Sequence, residues 1–534
     1  MIAFHAIRYR PSVWGPKERR GVMSQRMLIL GLVTVIFVTQ TSGAEPLNPY
    51  ETPGDAPTPG KIDALVTTQL KREGIRPARL CSDEVFVRRA YLDVIGTLPT
   101  ADEVKEFLAD RNPGKRSVLI DRLLQRPEFA DYWSLKWCDL LRVKSEFPIN
   151  LWPNAVQAYY RWVHACIKSD VPYDRFVREL LTASGSNFRD PPVNFYRAMR
   201  DRDPATIAAT VALTVMAARA ERWPQDRLKG MAVFFQDIKY RKTGEWKEEI
   251  VGVDLLGGTT REAVLPDGTR IVLKPGTDAR VVFADWLIEP KNPWFARAIV
   301  NRIWYWLIGV GIIHEPDDIR ADNLPINPEL LALLERELIA SRYDLKHIYR
   351  LILNSTTYQR SCIPTTVQPE AERLFAHYPM RRLDAEVLID AINQVTGTTE
   401  SYMSLIPEPW TYIPRDTRSI ALADASITSP FLELFGRPAR ESGLESERTN
   451  APTGSQRLHL LNSSHIQRKL SDSTKLRAMA QSNNAVDQLY LSILSRYPTD
   501  EERKIVASYK PGNRSLAVEL AWALMNTAEF QYRH

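Results

Sequence analysis

The chain has 534 residues, 44% of them hydrophobic and 25% charged, with a formal net charge of +6 at pH 7. Residues 1–44 hold six of the 70 Lys/Arg and one of the 64 Asp/Glu, so residues 45–534 carry 64 basic and 63 acidic groups. That balance excludes a general electrostatic pull on nucleic acid, and the length and apolar content suit two or more domains.

The chain opens with a long basic lead. Arg26 then precedes an apolar run from Met27 to Val38, and Ser42-Gly43-Ala44 fits a signal-peptidase site. The run is too short for a spanning helix. It predicts export to the periplasm or the exterior after cleavage near Ala44, with Met1 or Met23 as the start; the alternative is an uncleaved interfacial anchor. No later segment is long and apolar enough to cross a bilayer. Residues 45–60 are rich in Pro and Gly and read as an exposed tether. The four cysteines (Cys81, Cys138, Cys166, Cys362) are widely spaced, which permits disulfides without defining a framework.

Helical patterns then dominate. Thr100 followed by Glu103 is a capping box, and Thr499 with Glu502 repeats it. The stretch Tyr91–Glu103 matches Tyr490–Glu502 in register, and Leu119–Phe129 matches Leu520–Phe530. A looser third unit runs from Asn327 to Tyr358, with Asn-Pro as its cap and first turn. These predict similar helical hairpins in a mainly α protein of two helical halves, 61–245 and 278–534. Between them, 246–277 reads as a small β hairpin or meander, from its strand-like runs and its Gly-Gly and Asp-Gly turns.

Three clusters carry candidate chemistry. In Asn301–Asn323, His314, Asp317 and Asp318 lie within five residues and offer oxygen and nitrogen donors for a divalent metal. Their spacing matches neither the Asp-x-Asp-x-Asp loop nor His-Glu-x-x-His, and a polar turn between helices is the favoured reading. Trp304 and Trp306 read as core or pocket lining, with Trp304 a candidate ligand contact. The second cluster, Arg437–Arg448, sets Arg437, Arg440 and Arg448 against Glu441, Glu445 and Glu447. Mutual Arg–Glu pairing is expected to fix this irregular loop. The alternatives are a ligand surface (Arg440, Glu441, Arg448) or catalysis, with Glu445 and Glu447 as acid and base beside Arg437 and His459. In the third cluster His459, Asn462 and His465 lie close in sequence; two histidines alone make a poor metal site, and Asn462 is a candidate ligand contact. There is no Gly-x-Ser-x-Gly, no P-loop and no dinucleotide fingerprint.

The stretches "VRRAYLDVIGTLPTADEVKEFLAD", "ADWLIEPKNPWFARAIVNRIWYWLIGVGI", "YDLKHIYRLILNSTTYQ" and "FGRPARESGLESERTNAPTGSQRLHLLN" resemble a pair of planctomycete cytochrome-associated domains of unknown function, numbered fifteen forty-nine and fifteen fifty-three. The resemblance implies an exported, mostly helical protein. It also implies a Cys-x-x-Cys-His-Asp-His-Pro stretch before an apolar run, and a Cys-x-Cys further on. Here Val211–Phe235 holds no Cys or His, and Leu444 and Ser446 stand in the second place. Thiols that serve one shared site are lost together, so the two segments are expected to meet in space. No Cys-x-x-Cys-His exists anywhere in the chain, which excludes haem attachment and disfavours electron transfer. The expectation is an exported scaffold or binding protein without haem, whose partner is a cell-surface or polymeric carbohydrate or an envelope protein. The alternative is a hydrolase using the Glu/Arg/His cluster or a carboxylate-bound metal.

Overall fold

Two capping boxes mark the same structural unit near opposite ends of the described chain. In the computed structural model, which describes residues 48–53, 60–256, 259–413, 415–512 and 514–534, Thr100 and Glu103 start the helix Ala101–Ala109. Each side chain accepts the other residue's backbone N–H. Thr499 and Glu502 do the same for Asp500–Ser508. Each box satisfies two N–H groups that a first turn leaves without helical partners. The leader and most of the tether lie outside the described residues.

The match extends further than the caps. The preceding helices, Asp83–Val94 and Ala485–Leu494, are each followed by a left-handed residue at the matching position, Gly96 at φ +60° and Ser495 at φ +59°. Each turn sends the chain back toward its capping box. In both units one arginine bridges two glutamates. Arg126 donates to Glu103 at 2.7 Å and to Glu128 at 2.6 Å and 3.1 Å. Arg496 donates to Glu502 at 2.7 Å and 2.8 Å and to Glu529 at 2.7 Å and 2.9 Å. The glutamates occupy matching positions, but the arginines do not. Arg126 sits just before the last helix of its unit, and Arg496 just after the first of its own. One geometry is reached from two sequence solutions.

The third unit forms as its cap predicts. The Asn327 side chain accepts from Leu330 N at 3.0 Å and opens Pro328–Ala340, and Asp344 caps Leu345–Leu353. Ile348, Tyr349 and Ile352 are buried at helical spacing. Tyr349 packs its ring against Trp133 and Phe129, so this hairpin closes over the first. Residues 46–534 form one compact unit. Among the described residues no helix is long and apolar enough to cross a membrane.

The chain is mainly α with a small β insert, as expected, and the insert also pairs with strands from outside 246–277. Glu249–Val253 pairs antiparallel with Ile238–Lys242 on one side and Gly185–Ser186 on the other. Arg261–Val264 and Arg270–Leu273 form a separate two-stranded ribbon. The strand Ile238–Lys242 reads IKYRK, and only Ile238 and Tyr240 turn to the core between three cations. It is a charged edge strand, and its partner rather than its own pattern draws it into the sheet. At the other end of the chain Tyr532–Arg533 pairs with Arg381–Arg382. That small sheet brings Arg533 into the site described next.

Candidate functional site

The loop that carries the candidate residues is closed by its own backbone. Ser429 caps the short helix Pro430–Leu434, and the chain then leaves through Gly436. Gly436 has φ +85°, and Thr449 N donates to its carbonyl at 3.1 Å. A Cβ at Gly436 would lie 2.0 Å from Thr449 O, so only glycine fits this crossing. Gly443, at φ +72°, presses in the same way on Leu140 O.

The three arginines inside this loop do not pair with its glutamates. Arg440 donates to Asp139 at 2.8 Å and to Ala423 O at 2.7 Å. Arg448 donates to Glu386 at 2.6 Å and 3.2 Å and to Asp139 at 2.7 Å. Arg437 bonds the carbonyls of Ile427 and Asp424, and its Nε lies 3.5 Å from Glu386. A second buried centre adjoins. Asp384 accepts from Lys136 at 3.0 Å, Asn450 at 2.8 Å and Arg533 at 3.3 Å. The expected mutual pairing of Arg437, Arg440 and Arg448 with Glu441, Glu445 and Glu447 is therefore corrected. The arginines turn inward, where low dielectric demands carboxylates held by rigid helices. Asp139 is on Pro127–Leu140, and Glu386 is on Ala385–Thr396.

Electrostatics follow from this packing. Burial alone would raise the Asp384 carboxyl, but Lys136, Arg533 and Arg448 outweigh it and hold the group well below the usual range. Asp139 is also buried, and Arg448 and Arg440 lower it.

The glutamates serve three separate ends. Glu447 accepts the N–H groups of Glu441 at 2.9 Å and Ser442 at 3.1 Å, which folds the loop tip. Glu441 pairs with Lys144 at 2.7 Å. Glu445 accepts from Trp306 Nε1 at 2.6 Å, and its backbone N–H donates to Asp317 at 2.6 Å. The Trp306 ring lies against Trp133 and Trp137, an apolar cluster. Burial of the Glu445 carboxyl first, and the Asp317 charge second, push it up to about 7.

Asp317 also explains how two distant segments meet. Its other oxygen accepts from Arg302 at 2.8 Å, and Arg302 donates to the carbonyls of Leu213 and Thr214. Ile319 N donates to Ala217 O at 2.8 Å. The stretch around Thr214–Ala217 and the stretch Leu444–Ser446 thus face each other across Arg302 and Asp317.

The proposed metal set does not assemble. Asp317 is committed to Arg302, and Asp318 pairs with Arg222 at 3.0 Å and Arg320 at 3.3 Å. His314 is half exposed, with Glu315 as its nearest carboxylate at 3.6 Å. Among the described residues no three His, Cys, Asp or Glu side chains are grouped to hold a metal ion. Trp304 is fully buried against Phe375, so it is core and not a ligand contact. His459 meets His465 at 3.3 Å, and His465 meets Glu400 at 3.0 Å. This chain of contacts does not join Glu445, Glu447 or Arg437. Asn462 is exposed at the end of Gly454–Asn462. The four cysteines are free.

Asp139, Asp384, Glu386, Lys136 and Trp306 were not singled out as site residues by sequence. The helix around Asp139 reads as an ordinary amphipathic element, and no local pattern tells a buried carboxylate from a solvated one. A cleft lined by Asp131, Tyr160, His164 and Arg418 was also not anticipated; in it His164 Nε2 lies 3.0 Å from Asp131.

The raised Glu445 carboxyl makes stability depend on pH. A carboxyl raised in the fold contributes most below its unfolded value near 4.5, and the contribution is lost as pH rises through about 7. Glu445→Gln keeps an acceptor for Trp306 and removes the titration. The variant should be more stable than the parent by about 1–3 kcal/mol at pH 8, discounted because the residue is partly exposed. The difference should vanish below pH 4.5 in urea titrations run at both values. An equal difference at every pH would rule out a titrating Glu445.

Residues 61–234 match PSCyt2, a protein family of unknown function (DUF1549), and residues 279–510 match PSD1, a protein family of unknown function (DUF1553). No match is found among curated proteins or among solved structures. The two matched segments lie in the order that the sequence motifs implied, and the charged loop falls inside the second. The chain thus joins a segment that matches PSCyt2 to one that matches PSD1, in that order.

Proposed function

We propose that this chain is an exported helical binding scaffold whose charged loop holds the fold together rather than turning over a substrate. The observation that carries this is the use of the loop's cations. Arg437, Arg440 and Arg448 are each nearly or fully buried and spend their donors on Asp139, Glu386 and backbone carbonyls. Groups locked this way cannot swing toward a substrate without leaving a buried charge unpaired. Export is supported by the sequence of residues 1–44, and recovery of a chain beginning at residue 45 from the periplasm would test it. The partner class is a cell-surface or polymeric carbohydrate.

Hydrolysis is the second reading, and one observation favours it. Burial and the Asp317 charge push the Glu445 carboxyl up to about 7, so it keeps part of its proton near neutral pH, in the range a general acid uses. A panel of ester, phosphoester and glycoside substrates separates the two. Turnover by the purified chain should show no dependence on Glu445. An activity abolished by Glu445→Gln, and falling in the parent as pH rises through about 7, would overturn the scaffold role.

A further inference from the structure

Three tryptophans from distant parts of the chain converge on one surface. Trp152 precedes the helix Pro153–Lys168, Trp246 lies between the strands Ile238–Lys242 and Glu249–Val253, and Trp410 lies in the loop after Ala385–Thr396. The Trp152 ring centroid is 6.3 Å from that of Trp246 and 6.3 Å from that of Trp410. The interplanar angles are 83° and 63°, so the rings form a cup and not a flat stack. Trp246 is 68% exposed and Trp410 47%, and Tyr412 and Leu405 of the same loop are exposed as well. Leu405 N donates to Glu146, which brings this loop onto the turn that carries the exposed Phe147. Single exposed apolar residues are ordinary, but a contiguous aromatic surface marks a binding site.

A cation adjoins two of the three rings. Lys247 Nζ lies 4.6 Å from the Trp152 ring centroid and 5.5 Å from that of Trp246. The indole faces hold the ammonium by their quadrupoles. The acids that follow Lys247 in sequence are engaged elsewhere: Glu248 accepts from Ser186 and Thr243, and Glu249 pairs with Arg197 and Arg202. Trp152 Nε1 is buried without an acceptor. The backbone is strained to build this arrangement: Trp152 has φ +75° and ψ 145°, a region that glycine favours, and Lys247 has φ +60°. Strain of this kind persists at ligand sites, where the surrounding structure over-determines it.

We propose that Trp152, Trp246, Trp410 and Lys247 form a binding site for an acidic polysaccharide, one that bears carboxylate or sulfate groups. The site rests on the role of the chain as a binding protein and supplies its substrate class. The C–H faces of sugar rings stack on Trp246 and Trp410, and an acidic oxygen pairs with Lys247. Charge decides between this occupant and an apolar protein face. A purely apolar partner would bury the Lys247 ammonium without an anion, which is costly. An acidic polymer satisfies the ammonium and the indole faces at once.

Affinity electrophoresis of the full chain tests it, in gels that contain polygalacturonate, dextran sulfate or neutral dextran. Retardation is expected in one or both acidic gels and not in neutral dextran; whichever gel retards the chain identifies carboxylate or sulfate as the group read. Trp246→Ala and Lys247→Gln should each weaken retardation about five- to ten-fold. Both side chains lie at the surface, and circular dichroism of the variants should match the parent. Absence of retardation in both acidic gels would overturn the site, as would equal retardation of parent and variants. Equal retardation by polyglutamate would also overturn it, in favour of an acidic protein partner. None of these outcomes touches the Glu445→Gln turnover test, so the site and the scaffold role can fail separately.

Discussion

Arg448→Ala is expected to destabilise the protein by about 3–5 kcal/mol, the range for removing one partner of a buried ion pair. Arg448 serves two carboxylates at once. It holds Glu386 at 2.6 Å and Asp139 at 2.7 Å, with Asp384 at 3.9 Å. The Glu386 side chain is wholly buried, and after the substitution its remaining cation is Arg437 at 3.5 Å. Asp139 would keep Arg440. Urea denaturation followed by tryptophan fluorescence reads the loss. Arg448→Lys should fall between the parent and the alanine variant, because a single ammonium cannot span two carboxylates as a planar guanidinium does. The double variant Arg448→Met with Glu386→Gln should recover part of the loss, since the Glu386 charge goes with that of Arg448 while buried Arg437 loses its carboxylate. A cost below about 1 kcal/mol for Arg448→Ala, the value of a surface pair, would mean that the network does not hold the loop.

The second large effect lies at Asp384. Asp384→Asn is expected to cost about 3–5 kcal/mol by leaving Lys136 buried without a carboxylate. Lys136 and Asp384 are both nearly inaccessible, and the contact is 3.0 Å. Arg533 would retain Asp93 at 2.8 Å, so the loss falls mainly on the lysine side. The same site predicts acid sensitivity. Asp384 and Asp139 are held below their ordinary value in the fold. Their contribution is therefore present above about pH 4 and is lost as pH falls through the lowered folded values. The parent should lose stability steeply below pH 4, and Asp384→Asn should show a shallower fall over the same range. Parallel acid curves for parent and variant would count against Asp384 as a source of that loss.

Both effects depend on carboxylates that no local pattern reveals. Arg437, Arg440 and Arg448 stand out in sequence because they crowd one short loop. Their partners do not, because Asp139 and Glu386 lie on helices about 300 and 60 residues away and look like solvated positions. The nearby glutamates were the natural partners on sequence distance alone. Neighbours on an irregular loop point in different directions, so nearness in sequence did not become contact. The metal set failed for a related reason. His314, Asp317 and Asp318 are close in sequence, but Arg302 claims one carboxylate and Arg222 with Arg320 the other.

What the sequence determined by itself was local or periodic. Thr100 with Glu103, Thr499 with Glu502 and Asn327 with Pro328 set helix starts through bonds that span three residues, and all three stand in the structure. The paired hairpins and the order of the two families were legible for the same reason, since each rests on a pattern contiguous along the chain. The tertiary structure alone decided which acids meet the buried arginines, why the Glu445 carboxyl is raised beside Trp306 and Asp317, and how Trp152, Trp246 and Trp410 come to share one cup. Each of these is set by burial and by charges brought together from distant segments. Desolvation and Coulomb energy depend on separation in space, which the chain acquires only when its helices pack.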